Sequence, residues 1–229
     1  MDRKDAIRSA YRMTGSNNFY DGMMTCSTLS GKAVCRLVWA MNRADCEEYQ
    51  DAAMAGIPED FAGRLLEVPV GTGILTMPLY QTLPDADVTC LDYSPDMMAQ
   101  AREKAERMGL KNVEFRQGDV GALPFEDASF DAVLSLNGFH AFPDKEAAYR
   151  EVFRVLKPGG MFCGCFYVSG QNRRTDWMIR NLYQPMKFFT PPYETPTSLR
   201  ARLEGMYEQV ELGCVESIAW FNARKALGE

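Results

Sequence analysis

The sequence lacks any apolar run approaching the roughly 20 residues that a membrane-spanning helix needs. Its opening segment, MDRKDAIRSAYR, is amphipathic and polar, without the apolar core of a secretion signal. Positive charge is also in short supply. The 25 Lys and Arg are outnumbered by 31 Asp and Glu, giving a net charge of −6 and a pI near 5.0. Such a balance argues against a nucleic-acid partner, because that binding rests on neutralising phosphates. No repeat, low-complexity tract or long linker is visible. The 7 cysteines are odd in number and scattered through apolar surroundings, which excludes the dense disulfide framework of a small secreted domain. Reduced thiols and a cytoplasmic location are expected. There is a single histidine, His140, so Cys163-Gly-Cys165 has little help as a metal site and reads as small buried residues; no metal is expected.

With 46% apolar and 24% charged residues, the chain can bury a full core. What changes along it is periodicity. Residues 1–60 read as an N-terminal helical cap: Ala33, Val34, Leu37, Val38 and Met41 recur at helical spacing after Ser30 as a cap residue, and Glu47 to Met54 suggest a short helix ending at Gly56. From residue 61 to 229, short apolar runs alternate with helical patterns, the signature of βαβ units on a parallel sheet. The strands expected are Leu65–Val70, Val88–Leu91, Val113–Arg116, Phe130–Leu136 and Met161–Val168. Ser94 as N-cap, Pro95 at the first helical position and Gly109 past the last turn mark one helix at both ends. A second runs from about Asp144 to Leu156 and is stopped by Lys157-Pro158-Gly159-Gly160. Residues 169–197 carry Trp177, Tyr183, Phe188, Phe189 and Tyr193 without clear periodicity and read as a lid or excursion. A helix over Ser198–Glu208 and a hairpin turning at Glu216-Ser217 complete the chain. The expected architecture is a doubly wound, Rossmann-like α/β fold, with a mostly parallel seven-stranded sheet, an antiparallel C-terminal hairpin and the helical cap.

In such a sheet, ligands meet the carboxyl ends of the strands, so the residues just after each strand are the informative ones. The first strand leads into Glu67-Val68-Pro69-Val70-Gly71-Thr72-Gly73, whose glycines let a nucleoside approach the backbone. Thr76 stands where a dinucleotide fingerprint needs a third glycine or alanine, which disfavours NAD or FAD. Asp92 follows the second strand, nineteen residues beyond Gly73, a spacing that suits a carboxylate accepting from ribose hydroxyls. Gly118-Asp119-Val120 follows the third, where an acceptor can reach an adenine amine while Val120 and Tyr93 supply apolar contacts.

The pieces LLEVPVGTG, VTCLDYSPDMM, VEFRQGDVGALPFEDASFDAVLS and EVFRVLKPGG, in this order between Leu65 and Gly160, resemble class I S-adenosylmethionine-dependent methyltransferases, especially the ubiquinone and menaquinone biosynthesis branch. The resemblance implies that Glu67, Val68, Gly71, Thr72 and Gly73 surround the methionine portion of S-adenosylmethionine and that Asp92 holds its ribose. It also implies that Tyr93 and Met97 flank the adenine, that Gly118, Asp119 and Val120 lie at its edge, and that Asn137 and Gly138 sit near the sulfonium. Two departures stand out. Pro69 replaces the first glycine of the usual Gly-x-Gly-x-Gly, and Pro78 should kink or delay the next helix.

The implied reaction is transfer of a methyl group to a small-molecule acceptor by direct displacement, which needs alignment and exclusion of water more than a base. His140, in LNGFHAFPD, is the candidate catalytic residue, either touching substrate or acting as base; an ordinary loop histidine is the alternative. The cap and the 169–197 segment would close a largely apolar chamber, favouring an apolar or aromatic acceptor, with Tyr11, Phe19, Tyr20, Trp177, Tyr183 and Phe188 as candidate lining. Alternatives are a nucleotide-dependent oxidoreductase, a catalytically silent S-adenosylmethionine-binding module and, prompted by the cysteines, a thiol-dependent arsenic-type methyltransferase, which their spread along the chain disfavours. Oligomeric state is not legible.

Overall fold

A computed structural model describes residues 19–228, with side chains from Asp21 onward; Tyr11 and the side chains of Phe19 and Tyr20 lie outside the described residues. The first described elements are α1 (Phe19–Met24), α2 (Leu29–Val34) and α3 (Arg43–Met54). Thr28, not Ser30, caps α2: its Oγ1 accepts from the Gly31 N–H at 3.0 Å. Gly31 settles that register, because a Cβ there would lie 2.1 Å from the Gly22 carbonyl, so α1 and α2 cross only where no side chain stands. Helix α2 widens into a π-turn over Cys35–Trp39. Helix α3 starts four residues ahead of the expected Glu47, because Asn42 and Asp45 form a reciprocal capping box.

Seven strands follow: β1 (Arg64–Glu67), β2 (Asp87–Asp92), β3 (Val113–Gln117), β4 (Phe130–Leu136), β5 (Leu156–Tyr167), β6 (Gln209–Val215) and β7 (Ile218–Arg224). Their order is β3-β2-β1-β4-β5-β7-β6, with β1 to β5 parallel and β7 antiparallel to both β5 and β6. The order reverses between β1 and β4, so a crevice opens beyond their carboxyl ends. The intervening helices are α4 (Met77–Gln81), α5 (Pro95–Met108), α6 (Lys145–Val155), α7 (Arg173–Met178) and α8 (Pro196–Met206).

The pleat sorts the core into two layers. Leu65, Leu134, Cys163 and Cys165 face α3 and α5, meeting Tyr49, Ala53, Ala101 and Ala105. Leu66, Val133, Phe162 and Phe166 face α6 and α8, meeting Tyr149, Val152, Leu199 and Leu203. Cys163 and Cys165 are therefore small core residues on one face, as their alternation requires. The cap's last helix belongs to the first layer: the Gly56 N–H donates to Asn222 Oδ1 at 3.1 Å, and Asn222 Nδ2 donates to the Ala52 carbonyl.

Two boundaries differ from expectation. Strand β1 ends at Glu67 instead of Val70, because Pro69 has no N–H with which to continue a ladder. Strand β5 begins at Leu156 instead of Met161. Residues 157–160 form an irregularity opposite β4, where register shifts between Phe130 and Ala132. Lys225 Nζ donates to the carbonyls of Phe153 and Leu156 at 2.7 Å, satisfying the end of α6 so that the chain turns straight into strand. Pro78 stands in the first turn of α4, where its missing N–H costs no helical bond, and the helix spans five residues.

Candidate cofactor site

Glu67 is the last residue of β1 and 1% exposed, although a carboxylate is seldom buried unpaired. Its Oε2 accepts from the Tyr80 hydroxyl at 2.7 Å and the Cys90 thiol at 3.4 Å. Burial pushes its pKa up to about 8 against those hydrogen bonds. Near neutral pH the group holds its proton until a cation approaches.

The turn beyond it bends at Gly71 (φ 56°) and Gly73 (φ 68°). A Cβ on Gly73 would press on Met77 and Ala101 at 3.0 and 3.1 Å, so this position needs glycine for space as well as for angle. Pro69, whose bond to Val68 is cis, fits against Gly138 beyond β4: a Cβ there would come within 2.3 Å of the proline ring. The proline and the glycine therefore define one another.

Asp92 ends β2, 6% exposed, and ties the two βα turns together. Its Oδ2 accepts from the Gly71 N–H and its Oδ1 from the Ser94 N–H, both at 2.8 Å. Burial raises its pKa and the backbone N–H groups oppose that rise. Each carboxylate oxygen offers about two lone pairs, so capacity for further donors remains.

Above the turn lies a small cleft, partly open to solvent, walled by Met24 of α1, Glu67, the Val70–Thr76 turn, Leu136 and Asn137. Two buried polar side chains on this wall, Thr76 beside Glu67 and Tyr80 and Asn137 beside Tyr49, have hydrogen-bonding capacity to spare. Glu67 and these side chains suit the cationic methionine end of S-adenosylmethionine, which brings an ammonium, a carboxylate and a sulfonium but no pyrophosphate.

The structure thus gathers Glu67, Gly71, Thr72, Gly73 and Asn137 around one cleft, with Asp92 clipped to its floor and Gly138 packed behind. Val68 is buried behind the turn among Leu66, Val133 and Phe139. The residues expected around the adenine do not line the cleft. Tyr93 is 77% exposed and Met97 half-buried. Asp119 is exposed, its Oδ1 accepting from the Gly121 N–H at 2.8 Å, while Val120 packs with Leu91 and Leu123. Gly118 lets β3 close on Leu91, whose Cδ1 would meet a Cβ at 2.9 Å.

His140 lies outside that wall, in an aromatic cluster. Its ring stacks on Phe189 (centroids 4.3 Å apart), which also packs on Trp39, Tyr167 and Tyr183. The Tyr167 N–H points to its Nδ1 at 3.4 Å, leaving the proton on Nε2. Burial, then the Lys145 charge, lowers its pKa to about 3, so the ring is neutral. Trp177 and Phe188 of the expected lining are exposed, while Tyr183 joins the cluster. The 169–197 segment is docked as well: Thr175 Oγ1 donates to the Val38 carbonyl at 2.7 Å, and the Thr190 N–H to the His140 carbonyl at 2.9 Å.

One arrangement escaped the sequence reading. Asp21 of α1 receives the Thr72 hydroxyl and pairs with Lys104 Nζ at 2.9 Å, all buried. This triad fastens the cap to the glycine turn. Its signal was present: Lys104 falls among Ala101, Ala105 and Met108 on the apolar stripe of α5, where a lone lysine needs a partner.

Comparison with known proteins agrees with this geometry. The family described as Methyltransferase domain matches residues 65–160. The demethylmenaquinone methyltransferase of Thermus thermophilus is 47% identical over 97 residues, 42% of this chain and 44% of that protein. That of Listeria monocytogenes is 33% identical over 171 residues, covering 68% of this chain and 72% of its own length. The chain spans less than half the length of the first relatives it matches. The YcgJ protein from Bacillus subtilis superposes with a TM-score of 0.63 at 18% identity, covering 79% of this chain and 99% of that one, which shows the shared fold. The buried acidic clip on a glycine turn, the sheet order and this similarity lead to one assignment: the chain belongs to the class I S-adenosylmethionine-dependent methyltransferases, in the menaquinone and ubiquinone biosynthesis branch.

Proposed function

We propose that the chain binds S-adenosylmethionine in the cleft above the glycine turn and passes its methyl group to a small, apolar or aromatic acceptor. The observation that carries this reading is the Asp92 carboxylate, held by the Gly71 and Ser94 N–H groups beside the crevice where the sheet order reverses. Asp92 receives the ribose hydroxyls, Tyr93 and Met97 take the adenine faces, and Gly118, Asp119 and Val120 its edge. Glu67 receives the cationic methionine end, with Val68, Gly71, Thr72 and Gly73 forming its bed; Asn137 and Gly138 lie toward the reacting methyl. When bound, the cofactor supplies a methyl group activated by its sulfonium.

The chain's own residues then align the acceptor and exclude water. The packed aromatic cluster of Trp39, Tyr167, Phe189 and His140 supplies the apolar surface that such an acceptor meets. With a pKa near 3 and its proton on Nε2, His140 is a weak base and a good donor. It orients an acceptor oxygen or nitrogen rather than taking its proton. His140→Gln, which keeps a donor, should retain more turnover than His140→Ala once a substrate is known; equal turnover in both variants and the parent would remove His140 from the mechanism. Free thiols throughout and the acidic balance support a cytoplasmic, reducing setting without nucleic acid. No described helix is long and apolar enough to cross a membrane.

The test is binding followed by turnover. Calorimetry with S-adenosylhomocysteine should give one site per chain, and NAD(P) should give none. Methyl transfer to quinone-like, phenolic and amine acceptors should then show release of S-adenosylhomocysteine. Binding with no release across all of them would leave a silent binding module.

A further inference from the structure

The cap holds a feature that cofactor binding does not use. Cys26 sits in the turn after α1, Cys35 opens the π-turn and Cys46 lies on α3, yet their Sγ atoms all fall within 4.8 Å of one another. All three are at most 3% exposed. Among the described residues this is the one group of His, Cys, Asp or Glu so arranged. We propose that Cys26, Cys35 and Cys46 form a binding site for a thiophilic divalent metal ion of the zinc class, inside the helical cap.

Tetrahedral zinc bonds thiolates at about 2.3 Å, placing their sulfurs about 3.8 Å apart. The three thiols therefore need to contract by no more than about 1 Å from their present spacing. A pure sulfur donor set selects soft ions over magnesium or calcium. Binding a divalent ion to the three sulfurs as thiolates releases the thiol protons to solvent and leaves a net charge of −1. A monovalent ion would leave −2. With no fourth side-chain ligand in the group, water completes the coordination.

Buried cysteines ordinarily behave as small apolar side chains, and the cap cysteines share one apolar core with Cys163 and Cys165 of β5. The cap triad differs in drawing one sulfur from each of three successive segments, so an ion there would pin α1 to α2 and α3. Helix α1 carries Met24 into the cleft wall and Asp21 onto Thr72. Loading should therefore tighten S-adenosylhomocysteine binding, a consequence that rests on the proposed cofactor reading.

The test titrates the reduced, chelator-stripped chain with Co(II), then displaces it with Zn(II). Expected are one equivalent bound, near-ultraviolet thiolate-to-cobalt absorbance, and loss of that absorbance with zinc. Cys35→Ser and Cys46→Ser, checked for fold by circular dichroism, should each lose the band, whereas Cys214→Ser, altered at an exposed thiol on β6, should keep it. No band in the parent chain, or an undiminished band in both cap variants, overturns the site. Cu(I) binding where cobalt and zinc do not overturns its divalent character. S-adenosylhomocysteine affinity is read separately by calorimetry: a band without cofactor binding overturns the cofactor reading and leaves the metal site standing.

Discussion

The crevice is walled by two regions built in different ways. Its floor comes from the turn after β1, with Asp92 at the end of β2 clipped beneath it and Leu136 and Asn137 at the end of β4 beside it, each within a few positions of a strand end. Its roof comes from segments far apart in sequence, joined by tertiary hydrogen bonds and one ion pair: Asp21 with Thr72 and Lys104, Thr175 with Val38, Thr190 with His140. A floor made of turns is local chemistry, while a roof made of bonds is tertiary chemistry, so the two should fail differently when altered.

The largest effect should come from the roof's anchor. Lys104→Met removes one partner of a buried ion pair and strands Asp21 near Thr72, which is expected to cost about 3–5 kcal/mol in chemical denaturation. The double variant Asp21→Asn with Lys104→Met should recover part of that loss, because the uncompensated charge is gone. A loss below about 1 kcal/mol in the single variant would show that the cap is not fastened there.

The floor should respond to pH through Glu67, with opposite signs for binding and for stability. Below about 8 its carboxyl is protonated in the folded chain, so binding of the cationic methionine end must expel that proton. Affinity for S-adenosylhomocysteine, which retains the ammonium, should rise roughly tenfold from pH 6.5 to 8. Without ligand, the raised pKa contributes stability that is fully present below the unfolded value of 4.5 and lost as pH rises toward 8. Glu67→Gln should therefore bind weakly with a flat pH profile, yet match or exceed the parent's stability at pH 8. A Gln variant with the parent's pH slope would place the titration elsewhere.

A smaller effect belongs to the excursion. Thr175→Val leaves the Val38 carbonyl without its buried donor and should cost about 1–3 kcal/mol. Cofactor affinity should hardly change, since the bond lies on the acceptor side. A cofactor defect as large as that of Glu67→Gln would erase the distinction between floor and roof.

The same division explains what the sequence disclosed. Helix α5 is legible to the residue because Ser94, Pro95 and Gly109 are local signals: Ser94 Oγ accepts from the Met97 N–H, and Gly109 takes the left-handed conformation. The β6–β7 hairpin turns at Glu216-Ser217 for the same reason, with Glu216 at φ 49°. Where the outcome depended on a distant partner, sequence pattern misled or fell silent. Ser30 and Thr28 are equivalent caps until Gly31 meets Gly22. The start of β5 depends on Lys225 capping α6 from the far end of the chain. Residues 169–197 show no period because α7 runs into a π-turn at Ile179–Tyr183 and docks through isolated bonds. Scattered cysteines look unrelated until the cap folds Cys26, Cys35 and Cys46 together.

The most direct measurement is calorimetric titration of Asp92→Ala with S-adenosylhomocysteine at pH 7.5, the variant's fold being confirmed by circular dichroism. Two charge-assisted hydrogen bonds to a sugar imply at least a roughly hundredfold weaker Kd. A Kd equal to the parent's would mean that the nucleoside is held by other groups, and the assignment of this crevice would be contradicted.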